Sequence, residues 1–492
     1  MAKQLLFLSI CLGVAACTVG PNFQRPPPPR GESYTGALLG DTAGTLVPGG
    51  AGQHFVPGAD IPGQWWSLFH SEALDGLVRQ AITDSPNLQA AQAALRTAME
   101  NVKAQMGGYY PGVMAGLSAS RNQNAAEISP TLTSAALLYN LYQTQLSVSW
   151  SPDLWGGNRR QVEALQAEAD SQYFQLEAAY VALTANIVAA AIQEASLRAQ
   201  IDATHSIISD EQRILEIEQR QQALGQIAGT DIAAQQVVLA QTQQTLPALE
   251  KQLAQNGDLL AALRGHLPAD DAPPEFDLAA LSLPEDVPVS LPSKLVEQRP
   301  DVRAEEENLH MASAEIGVSL AARLPNITLS ADAGAVATEL GKISAPGNQL
   351  WSIGAGLAEP LFDGGTLAHR IQAARDTYDQ VAAQYRGTVV TAFQNVADAL
   401  HAVQSDGDNL KAAAAADEAA SRSLVIARKL VSVGQTSSLG LLTAEQAEQL
   451  TRLALIQAQA SRLSDTAALF AALGGGWWNK PVDDTEVHLA NP

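Results

Sequence analysis

Cysteine is almost missing from this chain of 492 residues: only Cys11 and Cys17 occur, too few for a disulfide framework. Basic charge is scarce as well. The chain has 29 Lys and Arg against 51 Asp and Glu, a formal net charge of −22, which excludes a protein that tracks a phosphate backbone and rules out nucleic acid as a partner. Aromatic residues make up only 5%, so the chain cannot fill a wide core with large rings. The eight histidines, at 54, 70, 205, 266, 310, 369, 401 and 488, never fall at metal-ligand spacing. No serine, cysteine or carboxylate pair has the setting of a nucleophilic or acid/base site. The acidic run Glu305 to Glu307 reads as a solvated helix face, and "GAGLAE" at Gly354 lacks the third glycine of a dinucleotide loop. The sequence therefore reads as a non-enzyme with no metal and no cofactor.

What is present begins with "MAKQLLFLSICLGVAAC", one early positive charge followed by an apolar run too short for a stable membrane span. Residues 1–16 read as a signal peptide. The ending "VAAC" resembles the lipobox of bacterial lipoproteins, which implies that Cys17 becomes the lipidated first residue and that Cys11 is lost with the signal. Thr18 follows in place of aspartate, which by resemblance to sorted lipoproteins implies the outer membrane. Residues 17–65, rich in Pro and Gly, read as an extended lipidated segment. One lipid modification holds weakly unless a second membrane contact helps.

The rest of the chain is duplicated, an arrangement worth finding before any other because it changes the whole fold. Pro86, Leu95, Val102 and Pro111 recur without a gap as Pro300, Leu309, Ile316 and Pro325. The Gly-Gly pair of "PDLWGGNRR" returns in "PLFDGGTLAHR", and "LGQIAGTDIAAQQ" returns as "VGQTSSLGLLTAEQ" with Gly225 on Gly434. Residues 66–265 form the first repeat, 266–290 a Pro-rich linker, 291–475 the second repeat, and 476–492 a tail.

Each repeat opens on an Ala-rich helical segment, Leu74 to about Gln105 and Leu291 to about Ala321. A strand pair follows, expected at about 112–121 and 142–151, then at about 326–334 and 350–358. Tyr142, Thr144, Leu146, Val148 and Trp150 alternate with Gln143, Gln145, Ser147 and Ser149, the mark of a strand between two unlike media. A soluble sandwich uses such hairpins too, so that alternative stays open. Four strands cannot close a transmembrane barrel, whose smallest members have about eight. If lipid is the apolar medium, several chains share one barrel.

Long helical hairpins come last, at about 156–265 and 364–475. Asn158 to Leu224 holds no glycine or proline, and Ala169, Tyr173, Leu176, Tyr180, Leu183, Ile187, Ala190, Leu197, Ile201 and Ile208 give a coiled-coil seam broken by Glu194 and Thr204. Thr230 or Asp231 can cap the returning helix, which Pro247 should kink. The glycines after Trp150 and Pro152 allow a sharp change of direction from strand to rod.

These residues resemble the outer-membrane factor family, the TolC-like channels, and within it the NodT-like efflux lipoproteins. The carriers are "CTVGPNF", "WWSLF", "PDLWGGNRR", "LPSKLVEQRPDVRAEEENL", "EPLFDGG" and "ALGGGW". The resemblance implies a mainly α fold with a membrane β-barrel. Three chains would close twelve strands, and their coiled-coil hairpins would continue as a periplasmic α-helical tunnel. It implies a passive duct for drugs or other small toxic compounds, with an inner-membrane efflux pump, a periplasmic adaptor and outer-membrane lipid as partners.

It also implies roles for residues. Adaptor docking falls on the helix turns, at Leu224, Gly225, Gln226, Gly229, Thr230, Val433, Gly434, Gln435 and Ser437. The periplasmic gate falls on Asp231, with Gly440 and Thr443 where the second repeat departs from the family's aspartates. The barrel–tunnel joint falls on Pro152, Gly156, Gly157, Pro360, Gly364 and Gly365. Three other readings share features with this one: a type I polypeptide secretion duct, a coiled-coil envelope lipoprotein without a pore, and a periplasmic adaptor, which by family has only one hairpin.

Overall fold

A segment free of glycine and proline keeps adding helical hydrogen bonds until a breaker ends it, and the first of the two longest elements follows that rule, while the second carries Gly387 and Gly407 within an unbroken helix. The computed structural model describes residues 18–29, 33–36, 40–125, 137–270, 274–433, 435 and 438–480. The signal peptide, Cys17, Gly434, Ser437 and residues 481–492 of the tail lie outside the described residues. In chain order the elements are β1 (His54–Pro57), α1 (Glu72–Asp84), α2 (Pro86–Met106), β2 (Gly112–Gln123), β3 (Leu138–Trp150), α3 (Gly157–Ala223) and α4 (Gly229–Leu263). The second half supplies β4 (Asp286–Val289), α5 (Pro292–Gln298), α6 (Pro300–Ala321), β5 (Asn326–Ala337), β6 (Gln349–Ala358), α7 (Thr366–Ser432) and α8 (Ser438–Ala472). α3 and α7 each run 67 residues, roughly 100 Å at the helical rise.

The opening helix of each repeat is two helices. Ser85 and Arg299 leave the helical region, with ψ 118° and 119°, and Pro86 and Pro300 begin the next helix. Proline crowds the residue before it out of the helical region while fitting the first helical position itself. Pro247 does not end its helix, because α4 continues from Gly229 to Leu263.

Two compact units are cut from these elements. The first takes residues up to Pro26, Ala94–Gln172 and Glu305–Tyr385. Its sheet has the order β2-β3-β5-β6, antiparallel throughout, with Val113 opposite Val148, Val148 opposite Ala331 and Ala331 opposite Ile353. That register gathers Val113, Leu117, Leu146, Leu329, Trp351, Ile353 and Leu357 on one face, all exposed. The opposite face is polar: Gln145 donates to Asp332 at 2.7 Å and Ser352 to the same carboxylate at 3.3 Å. β2 and β6 each have a single neighbour among the described residues, so each leaves one row of backbone groups at an edge.

The second unit takes Pro27–Ala93, Tyr173–Ala304 and Arg386 onward. Its core holds Trp65, Trp66, Phe69 and Phe470, with the rings of Trp65 and Phe470 5.6 Å apart. Here the extended segment and the linker gain structure that their composition did not announce. β1 and β4 pair in parallel, His54 with Asp286 through Pro57 with Val289. Arg462, fully buried, donates to Thr42 Oγ1 and to Ala51 O, both at 2.7 Å, and the fully buried Gln53 donates to Thr466 Oγ1 and Pro284 O.

The seam of α3 is also corrected. Leu176, Leu183, Ala190, Leu197, Thr204, Glu211 and Glu218 are all buried, a heptad kept without a break. Ile201 and Ile208 are only half-buried, so polar residues, not isoleucines, continue the seam toward the end of the helix.

Candidate functional site

The joint between strands and rods is built around the glycine pairs. Gly156 has φ +77°, a conformation that costs side-chain-bearing residues, and a Cβ there would fall 2.2 Å from the Thr18 methyl group. Gly157 opens α3, and a Cβ on it would meet that of Ala321 at 3.1 Å. In the second repeat Gly364 and Gly365 have φ +67° and +92°, but Gly364 has open space around it. Pro152 precedes the first turn and Pro360 the second.

Two residues that sequence reasoning missed start the rods. Asp153 accepts from the backbone N–H groups of Asn158 at 3.0 Å and Arg159 at 2.8 Å, and Asp363 accepts from those of Gly365 at 2.9 Å and Leu367 at 2.7 Å. Both satisfy amides that a helix start leaves unpaired. Those amide bonds hold the Asp363 carboxyl below its ordinary range.

The segment after Cys17 is seated on the joint. Val19 N donates to Trp155 O, and Gly20, at φ +99°, approaches Gly317 so closely that a Cβ would lie 2.5 Å from its Cα. Arg160, from the "GGNRR" motif and only 4% exposed, donates to Val19 O, Gly20 O and Asn22 Oδ1 and pairs with Glu163 at 2.6 Å. Phe23 stacks on His310 at 4.4 Å, and His310 bridges Glu307 and Glu163, each at 3.2 Å. The Glu307 contact, ahead of that from Glu163, raises the His310 pKa above its ordinary value despite partial burial.

At the far ends of the rods the two turns close alike. Gly225, at φ +72°, donates to Gln222 O while Gln226 N donates to Gln221 O, the Schellman pattern that ends a helix on a glycine. In the second repeat Gln435 N donates to Leu430 O in the same relation. Leu224 and Val433 stand exposed at the tips. Gly229 is the first residue of α4, and neither Thr230 nor Asp231 is its cap residue. Ala228 takes that place, and Asp231 reaches back from the helix to accept from Ala228 N at 3.3 Å. Gly440 and Thr443 lie inside α8, past the turn, where Thr443 donates to Leu439 O.

A sheet with an exposed apolar face and, among the described residues, two single-neighbour edges, in a chain that also carries two long helical hairpins, has the parts of a subunit of an envelope channel. The outer membrane efflux protein family model matches residues 77–266 and 291–475, and the chain belongs to that family. It is 29% identical over 480 residues to OprJ of Pseudomonas aeruginosa, covering 96% of this chain and 95% of that one. It is 30% identical over 491 residues to the toluene efflux pump outer membrane protein TtgF of Pseudomonas putida, covering 96% and 97%. Among solved structures, the outer-membrane channel OprN superposes with TM-score 0.83 at 25% identity over 94% of this chain and all of that one. The Campylobacter jejuni CmeC channel gives 0.86 at 21% identity, covering 96% and 98%, and speaks for the fold. The protein is thus an outer-membrane efflux protein that extends into the periplasm, of a family of channels and not of enzymes.

Proposed function

We propose that three copies of this chain close one twelve-stranded barrel and act as the passive exit duct of a tripartite pump for drugs or other small toxic compounds. The observation that carries this reading is the four-stranded sheet with an exposed apolar face and open edges at β2 and β6. Edges of that kind have no water to satisfy them within a bilayer, so a neighbouring copy must do so. The names of the relatives, an efflux pump outer membrane protein among them, support small-molecule traffic.

Within this reading the two repeats, 66–265 and 291–475, contribute equivalent strand pairs and hairpins. The tips at Leu224, Gly225, Gln226, Gly229, Thr230, Val433, Gly434, Gln435 and Ser437 receive the periplasmic adaptor, which brings the inner-membrane pump. Cys17 carries lipid. Thr18 packs at Gly156, next to the strand ends, so a lipid on the preceding residue enters the membrane beside the barrel and supplies the second contact that a single modification needs.

Purified protein in planar bilayers is expected to give discrete conductance steps from a species of trimer mass; silence from a monomer would favour a spacer without a pore. Asp231 contributes to the closed gate as one ring of three carboxylates, since the second repeat offers Gly440 and Thr443 instead. Asp231→Ala is expected to raise single-channel conductance and weaken its dependence on added cations. Unchanged values would remove Asp231 from the gate and leave it only its bond to Ala228 N.

A further inference from the structure

The polar end of the α3 seam buries carboxylates where hydrophobic side chains would pack. Four helices of the second unit meet there. Glu211, 2% exposed, comes from α3 and accepts from Thr242 of α4 at 2.9 Å through one oxygen. Glu445, 5% exposed, comes from α8 and accepts from Gln235 of α4 at 3.4 Å through one oxygen. The remaining oxygen of each, Glu211 Oε2 and Glu445 Oε1, is buried with no hydrogen-bond partner. Immediately beside them lies an apolar layer of Ile214, Leu424, Leu441 and Ala444.

A buried carboxylate needs a counter-charge or a proton, because desolvation penalises the ionised form heavily. The charged groups that bear on Glu445 are few. α3 presents Glu211 and Glu218, both acidic and both buried; α4 presents only the neutral Gln235 and Thr242. α7 presents Arg428, whose guanidinium is already bonded to Asp210 at 2.8 Å and is partly exposed. α8 itself adds Glu448, whose carboxyl burial also pushes up, and Arg452, which faces Asp417 of α7 at 3.9 Å across the same cleft. Among the described residues no three His, Cys, Asp or Glu side chains are arranged to hold a metal ion. Protons can reach the layer, since Glu211 and Glu445 both line an open cleft of about 780 Å³.

We infer that Glu445 and Glu211 form a proton-binding site at which a neutral carboxyl holds the hairpin α7–α8 against the hairpin α3–α4. Burial is the largest cause acting on Glu445 and pushes its pKa up to about 7, with Glu211 and Glu218 reinforcing it and Gln235 and Arg428 opposing; burial raises Glu211 as well. The sign follows from linkage. A carboxyl whose folded pKa lies above its unfolded value of about 4.3 contributes most below that value, and its contribution is lost as pH rises through the folded pKa. The contact is therefore tight in acid and loosens between about pH 5 and pH 8.

The site lies a few helical turns from the tips, and its effect on conduction rests on the reading of Asp231, just past the first turn, as part of a gate. Hydrogen exchange of the full-length trimer, corrected for intrinsic rates, tests the site itself. Residues 205–223 and 441–450 are expected to be about tenfold better protected at pH 6 than at pH 8, the ratio that a group of pKa about 7 gives over that interval. Glu445→Gln, which keeps the shape and the bond to Gln235, is expected to give a protection that does not change between the two values and is no lower than that of the wild type at pH 6, and Glu211→Gln to reduce the dependence. Wild-type protection that does not change with pH, or a change that survives in Glu445→Gln, overturns the proposal; the wild-type series needs no variant to fold. Single-channel recording then tests the gate separately. Conductance falling on acidification together with rising protection supports both readings, and protection that changes without conductance leaves the proton site standing and removes the gate reading.

Discussion

Valine at both Gly156 and Gly157 lowers the yield of heat-resistant trimers about tenfold or more, with substrate choice unchanged in whatever trimer survives. Gly156 combines a left-handed backbone with the Thr18 methyl group only 2.2 Å from where a Cβ would lie. The backbone strain costs about 1–2 kcal/mol and the overpacking about 1–3 kcal/mol, against a factor of ten for each 1.4 kcal/mol. Gly157 adds a clash with Ala321. Gly364→Val is the internal comparison, since that position has the positive φ but open space, and its loss should be several-fold smaller. Quantitative gels of boiled and unboiled membranes measure both. Normal trimer yield with altered selectivity would show the joint to be a binding loop and not a mechanical element.

Arg160→Leu frees the segment that follows Cys17. The side chain is buried and serves Val19 O, Gly20 O and Asn22 Oδ1 together, so its removal leaves acceptors unpaired and Glu163 without its partner at 2.6 Å. Leaving such groups unsatisfied costs about 1–3 kcal/mol each, and a total near 3 kcal/mol converts a docked segment into one that opens about a hundredfold more often. Phe23, stacked on His310 in the wild type, then becomes a site for chymotrypsin. Cleavage after Phe23 is expected to accelerate at least about tenfold, with Arg160→Lys intermediate because an ammonium restores charge but not the forked geometry. Equal cleavage rates in all three proteins would mean that the segment is held by other contacts.

The positions of these two predictions mark what the sequence could and could not disclose. The strand from Tyr142 to Trp150 and the first rod are visible because periodicity and the absence of breakers are local properties, while the second rod, with Gly387 and Gly407 inside it, and the joint glycines stand out through the repeat. Arg160 stood in plain sight within "GGNRR", yet two of its acceptors are backbone carbonyls about 140 positions earlier, and a carbonyl has no sequence signature. Asp153 and Asp363 hide for another reason. The first lies three residues before its glycine pair and the second immediately before its own, so aligning the repeats does not bring them together.

β1 and β4 are four residues each and both contain proline, which masks a strand inside a segment that reads as coil. The polar half of the heptad was missed because a search for apolar periodicity discards Thr204, Glu211 and Glu218, which carry the same spacing in different chemistry. The apparent break in the seam was a change of residue type with no change of register.

The open edges of β2 and β6 have a consequence for how the protein comes into being. A protomer that leaves two rows of amide and carbonyl groups unsatisfied cannot lie stably in hydrocarbon by itself, so insertion and association become a single event. In the proposed trimer, the formation of the membrane-embedded form then depends on the meeting of three chains, and its rate climbs steeply with their local supply. A variant that folds its helices normally but carries a blocked edge would be harmful in mixture, since one defective copy spoils the closure of two sound ones.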